Sequence, residues 1–182
     1  MARKNIYRLL ATYLLIILQG VSFASSNIFE LNATTIEGDG IPLKQFQGKV
    51  ILVVNTASRC GFTPQYKSLE QLFNKYKEKG FVVLAFPSND FRQELSSNEK
   101  IKDFCEGYQL SFPIFAEGKV KGFGKQAVFK YLTEDIAGKS KGEIRWNFEK
   151  FLVNREGKLF KRFRSSLDPN QQQITLAIES LL

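Results

Sequence analysis

Two cysteines, Cys60 and Cys105, carry the nucleophilic potential of this 182-residue chain, and it contains no histidine. Thiolate is the reactive form of cysteine, so something other than imidazole must favour it. Cys60 stands five residues beyond an apolar run, Lys49-Val-Ile-Leu-Val-Val-Asn55, and three before Thr63-Pro64. Thr-Pro supplies an N-cap and a first-turn proline, which places Cys60 at a strand-to-helix junction. Backbone N–H groups and the positive end of a helix favour negative charge there, and Arg59 adds to it. The missing histidines exclude Ser-His-Asp hydrolases, Cys-His proteases and His-ligated metal or haem sites. Two cysteines are too few for a four-cysteine zinc site or an iron–sulfur cluster. Cys60-Gly-Phe-Thr63 is not C-x-x-C, which argues against a dithiol exchanger. For either cysteine, a small buried inert thiol is the plain alternative, and the pair could equally be a structural staple.

The elements that must position these thiols follow from patterning. Phe29–Ile36 alternates, Gly38-Asp39-Gly40 signals a turn, and Ile41–Phe46 returns, so an N-terminal β-hairpin is predicted. Lys49–Asn55 and Phe81–Phe86 are continuous apolar runs, as in strands buried on both faces. Between them Tyr66, Leu69, Leu72, Phe73 and Tyr76 recur at helical spacing, and Gly80 stops the helix. Further helices are predicted over Ser97–Tyr108, over Gln126–Leu132 and after Asp168-Pro169. Phe112–Phe115 reads as a short strand, and Ile144–Val153 with Lys158–Arg164 as a hairpin around Asn154-Arg-Glu-Gly157. Buried strands alternating with helices, closed by an antiparallel hairpin, give an α/β fold with a mixed central sheet flanked by helices.

The first 24 residues read as an address. Arg3, Lys4 and Arg8 precede an apolar stretch from Leu9 to Ile17, and Ser22 and Ala24 offer a signal-peptidase site. Residues 1–24 are expected to be a signal peptide cleaved after Ala24, with one exported, periplasmic domain over 25–182. The apolar stretch is shorter than the roughly 20 residues that span a bilayer, so an uncleaved anchor is the lesser alternative and stable membrane insertion is not expected. Loss of three basic residues with this segment takes the net charge from +8 to +5. The remaining basic clusters, Lys75–Lys79 and Lys158–Arg164, read as solvated faces, and nucleic acid is not an expected partner.

Three blocks are more specific. Asn55-Thr-Ala-Ser-Arg-Cys-Gly-Phe-Thr-Pro-Gln-Tyr-Lys-Ser-Leu69 resembles the active-site signature of the glutathione peroxidase family. Leu84-Ala-Phe-Pro-Ser-Asn-Asp-Phe-Arg-Gln-Glu94 and Trp146-Asn-Phe-Glu-Lys-Phe-Leu152 resemble its next two blocks, in order, and Phe112-Pro-Ile-Phe115 is a weaker fourth match. The resemblance runs from about residue 28 to 182. It implies a thioredoxin-like fold and a peroxidatic site of Cys60, Gln93, Trp146 and Asn147, with no metal or cofactor.

The implied chemistry needs no histidine. A Cys60 thiolate attacks one peroxide oxygen and expels the other as water or alcohol, leaving a sulfenic acid. The amides of Gln93 and Asn147 and the Trp146 indole N–H are neutral donors that stabilise the moving charge. The same resemblance, to the cysteine-containing branch, makes Cys105 the resolving residue, forming a Cys60–Cys105 disulfide after local unwinding of its helix. A thioredoxin-like dithiol protein, rather than mainly glutathione, would reduce that disulfide. Hydrogen peroxide and organic or lipid hydroperoxides are the implied substrates. The sequence departs from the pattern in places. One residue, not two, separates Phe91 from Gln93, Leu95 stands where proline is common, and Ser88 replaces a frequent cysteine. The short connection Leu132–Glu143 matches the monomeric branch. The alternatives are a one-cysteine enzyme reduced by glutathione, and a non-enzymatic redox sensor or disulfide-stapled binding module.

Overall fold

The computed structural model describes residues 27–134 and 142–182. The segment 1–24 with its expected cleavage point, and part of the Leu132–Glu143 connection, lie outside the described residues.

The N-terminal hairpin is present but short. Strands β1 (Asn32–Thr34) and β2 (Gly40–Pro42) pair antiparallel, Asn32 opposite Pro42. The alternation that suggested longer strands belongs to two 3-10 turns, Ile28–Glu30 and Leu43–Phe46, which bury Ile28, Phe29, Leu43 and Phe46. Both continuous apolar runs are wholly buried strands, β3 (Val50–Thr56) and β4 (Phe81–Pro87), joined through α1 (Gln65–Tyr76). They run parallel in register from Val50–Phe81 to Thr56–Pro87. Gly80, at φ 87, takes the left-handed conformation that ends the helical segment before β4. Helix α2 (Asn98–Gly107) starts at an Ser97 N-cap whose Oγ accepts from the Lys100 N–H, and α3 (Ala127–Thr133) follows. Strands β5 (Lys150–Val153) and β6 (Leu159–Phe163) form the closing hairpin, and α4 (Gln172–Glu179) lies beyond it.

The four-stranded sheet has the order β4-β3-β5-β6, with β3–β5 and β5–β6 antiparallel, so it is mixed as predicted. Strand alternation sorts the core into two layers. Val50, Leu52 and Val54 face α1, α2 and α4 through Leu69, Leu72, Ile101, Ile174 and Ile178. Ile51 and Val53 face α3 and the N-terminal turns through Val128, Phe129, Leu43 and Phe46.

Three predicted elements differ. Phe112–Phe115 makes two isolated bridges, Ile114 to Ala85 and Phe115 to Thr35. Pro113 has no N–H to extend them. The strand predicted from Ile144 begins only at Lys150, because Phe148 adopts φ 63 and interrupts extension. The last helix begins at Gln172, three residues later than Asp168-Pro169 suggested. Asp168 instead accepts from the Asn170 N–H in a local turn and from the Ser68 hydroxyl of α1.

This topology gathers the site. Parallel β3 and β4 end at the same sheet edge, where Cys60 and Gln93 follow them. Antiparallel β5 starts at that edge, Lys150 opposite Val54, so residues 146–149 enter from the third side.

Candidate active site

Cys60 lies in a series of turns between β3 and α1 and is 7% exposed. Thr63 does not cap α1, which begins at Gln65 with no side-chain cap. Its Oγ1 accepts from the Cys60 N–H at 3.0 Å and donates to the Ala57 carbonyl at 2.9 Å, closing the loop around the cysteine. The Phe62 N–H donates to Cys60 Sγ at 3.4 Å. The amide at the sulfur therefore belongs to the loop itself, three residues before the helix begins.

Gln93 and Asn147, far apart in sequence, meet directly: Asn147 Nδ2 donates to Gln93 Oε1 at 2.9 Å. The Gln93 carbonyl accepts from the Arg59 N–H at 2.9 Å, which ties this pair to the residue before Cys60. Arg92, next to Gln93 in this turn, lies in the left-handed region at φ 58. With Oε1 occupied, Gln93 retains Nε2 as a donor. Asn147 is fully buried and its Oδ1 has no hydrogen-bond partner. Trp146 is 41% exposed and packs on Phe91, ring centroids 5.2 Å apart, so it stands at the rim of the site and not in the core.

Sequence reasoning assigned no role to the residues that hold this frame. Asn55 donates through Nδ2 to the Trp146 carbonyl and accepts at Oδ1 from the Glu149 N–H. Its carbonyl also accepts from the Phe148 N–H at 2.6 Å. Glu149, fully buried, accepts from the Arg145 N–H and pairs with Arg162 at 2.7 Å and Arg164 at 2.9 Å. Both residues lie inside the quoted blocks, which was their only signal.

Cys105 is a free, buried thiol on α2, 4% exposed, and Cys60 is also free. Both belong to the same core layer. Burial pushes the Cys105 thiol up to about 12, and the nearby Glu94 charge pushes the same way. The Tyr66 hydroxyl faces Cys105 and Thr56 without a hydrogen bond of normal geometry, and burial raises it well above the usual phenol range. Glu94 is itself buried, so its carboxyl is raised, although the Ser58 and Leu95 N–H groups both donate to Oε1. A cleft between the N-terminal hairpin and α2 is lined by Ile36, Phe46, Lys102, Cys105 and Phe112 and includes none of Cys60, Gln93, Trp146 or Asn147.

Residues 28–133 match the model of the glutathione peroxidase family. The chain belongs to the glutathione peroxidase family. It is 42% identical over 167 residues to a hydroperoxy fatty acid reductase of Synechocystis, covering 87% of this chain and 98% of that protein. It is 44% identical over 162 residues to the glutathione peroxidase-like peroxiredoxin 2 of Saccharomyces cerevisiae, covering 87% and 98%. The crystal structure of T. cruzi GPX1 superposes with a TM-score of 0.66 at 30% identity, covering 86% of this chain and 94% of that one. A thioredoxin-family thiol:disulfide interchange protein from Chlorobium tepidum, 12% identical with a TM-score of 0.64, shares the fold. This glutathione peroxidase family member is thus a thiol peroxidase with a thioredoxin-like fold.

Proposed function

We propose that Cys60 is the peroxidatic residue, that Gln93, Trp146 and Asn147 are its donors, and that Cys105 resolves the oxidised form. One observation carries this reading: Gln93, whose side-chain amide is bonded to Asn147, accepts at its main-chain carbonyl from the N–H of Arg59, immediately before the cysteine. In the reaction, Cys60 sulfur attacks a peroxide oxygen, the O–O bond breaks, and the departing alkoxide or hydroxide takes a proton to leave as alcohol or water. The free Nε2 of Gln93 and the indole N–H of Trp146 are neutral donors for charge on sulfur and then on oxygen. Cys105 then attacks the sulfenic acid, releasing water and forming a disulfide. Thiol–disulfide exchange with a dithiol protein of thioredoxin type restores both thiols. The relatives named as peroxiredoxins support a protein reductant, and the relative named as a hydroperoxy fatty acid reductase supports organic hydroperoxides among the substrates.

The enzyme acts as a monomer in the periplasm, after removal of residues 1–24. The sequence of that segment supports the location, and the short connection 132–143 supports the monomer.

Coupled turnover tests the reductant. Peroxide reduction is expected with thioredoxin and its reductase, and Cys105→Ser abolishes it. Turnover with glutathione that survives Cys105→Ser would instead establish the one-cysteine cycle.

A further inference from the structure

Phe123, in the loop before α3, is 99% exposed, so its ring packs on nothing in the fold. A single bare apolar side chain is ordinary on a protein surface. This one stands on a built loop tied to the site. Gly122 at φ 67 and Gly124 at φ 79 flank it, left-handed conformations that make a tight tip. Lys119 Nζ donates to the Phe123 carbonyl at 3.2 Å. The Val120 and Lys121 N–H groups donate to Asp90 Oδ2 at 2.7 Å and 3.0 Å, and the Gly122 N–H donates to Glu143 Oε2 at 3.1 Å. Asp90 lies three residues before Gln93, and Glu143 three before Trp146. Lys121 Nζ sits 4.2 Å from the centre of the Phe91 ring, which packs on Trp146 at 5.2 Å. A line of contacts therefore runs from the loop to the rim of the site.

The charges beside Phe123 are mostly basic. Lys119, Arg92 and Arg145 are exposed and Lys121 is half-buried. The carboxylates nearby are engaged: Asp90, Glu117 and Glu143 each accept main-chain N–H groups, and Glu143 also pairs with Lys125 at 2.9 Å. A protein partner would be met by a broader apolar core than one ring. An aromatic ring among lysines and arginines instead suits a bilayer surface, the ring entering the boundary between headgroups and acyl chains and the cations meeting anionic headgroups.

We propose that the loop 119–125 docks the enzyme on an anionic bilayer surface, with Phe123 as the anchor and the Trp146 rim turned toward hydroperoxides held in the membrane. This rests on the reading of organic hydroperoxides as substrates of Cys60. Docking is peripheral and reversible, because one ring and a few charges bind only together, and salt screens the charges.

Trp146 is the only tryptophan of the chain, so its emission reports this rim alone. The test mixes the exported protein with vesicles of phosphatidylglycerol and phosphatidylcholine in equal parts, and with phosphatidylcholine alone. On the anionic vesicles Trp146 emission should shift to the blue and be quenched by brominated acyl chains. The shift should be weak on neutral vesicles and reversed by about 0.5 M salt. Phe123→Ser should lower the vesicle affinity about tenfold, and Lys119→Gln with Lys121→Gln should lower it several-fold on anionic vesicles only. Phe123→Ser should also reduce a phospholipid hydroperoxide in those vesicles about tenfold more slowly, with its rate on soluble hydrogen peroxide unchanged. Trp146 emission that anionic vesicles do not move overturns the proposal, as does an equal shift in Phe123→Ser. Loss of turnover with the dithiol reductant in Phe123→Ser, with vesicle binding intact, would mark the loop as a protein contact and overturn it too. Attachment through a retained segment 1–24 would leave Trp146 emission unmoved and identical in the variant. If hydrogen peroxide leaves Cys60 reduced, the peroxidatic reading fails, and the tryptophan shift still decides the docking by itself.

Discussion

Cys60 and Cys105 are both buried thiols in one core layer, yet their surroundings differ in kind. An N–H donates to Cys60 sulfur, whereas Cys105 sits in apolar packing beside a negative charge. At pH 8 a thiol raised to about 12 is ionised in roughly one molecule in ten thousand, so Cys105 should resist alkylation in the folded protein. Iodoacetamide at that pH should label Cys60 first, and peptide mapping by mass spectrometry checks the order. Preferential labelling of Cys105 would contradict the assignment. Gln93→Ala removes one donor and the partner of Asn147 Nδ2 together. The rate of Cys60 oxidation by peroxide should fall about 10²- to 10³-fold, with the fold retained by circular dichroism.

At the scale of elements, the site depends on a clamp that no periodicity reveals. Asn55, next to last in β3, holds residues 146–149 by four hydrogen bonds, through Oδ1, Nδ2, its carbonyl and its N–H. Asn55→Ala leaves the buried Glu149 N–H without its acceptor, which should cost about 1–3 kcal/mol of stability by denaturant unfolding. It should also slow Cys60 oxidation, because Trp146 and Asn147 lose their anchor. The continuous strands, α1 and α2 were legible because burial and helical spacing leave local signatures, although Ser97, read as the first residue of α2, is its N-cap. The loop that carries Cys60 was placed correctly between β3 and α1, but Thr63 was read as a cap when its hydroxyl is spent on Cys60 and Ala57. The late start of β5 was invisible for the same reason: Phe148 at φ 63 is imposed by Asn55, 93 positions away, and not by its neighbours. The blocks named the candidate site residues, whereas the Asn147–Gln93 bond and the contacts of Asn55 and Glu149 needed the folded chain.

The whole molecule carries an unusual titration in Lys150. It is fully buried on β5, with Nζ donating to the carbonyls of Ser165 and Leu167. Burial lowers its amine to about 7, against the opposing pull of Asp168 and Glu149. The unfolded chain therefore binds more protons between about pH 7 and 10.5, so stability rises with pH across that range. The burial penalty is full below pH 7 and fades above it. Unfolding by urea between pH 7 and 8.5 should show a positive slope of up to about 1.4 kcal/mol per pH unit, absent in Lys150→Met. The window stops at 8.5 because Cys105, raised in the fold, reverses the sign once unfolded cysteine begins to ionise.

Arg155, in the β5–β6 turn, joins distant parts of the sheet and C-terminal region by donating to oxygens of Gly48, Lys79, Leu181 and Leu182. Gly157 in the same turn, at φ 78, admits Phe29 where a Cβ would lie 2.7 Å from its ring. These contacts unite the layers behind the catalytic edge. The central claim concerns that edge: one thiol reacts with peroxide and the second resolves it. Its most direct test is a count of free thiols after one equivalent of hydrogen peroxide, in the wild type, Cys60→Ser and Cys105→Ser. The account predicts loss of both thiols in the wild type, no oxidation in Cys60→Ser, and a trappable sulfenic acid in Cys105→Ser. Cys105 remaining free in the oxidised wild type would contradict the two-cysteine cycle, and the absence of any thiol loss within minutes would contradict the peroxidase itself.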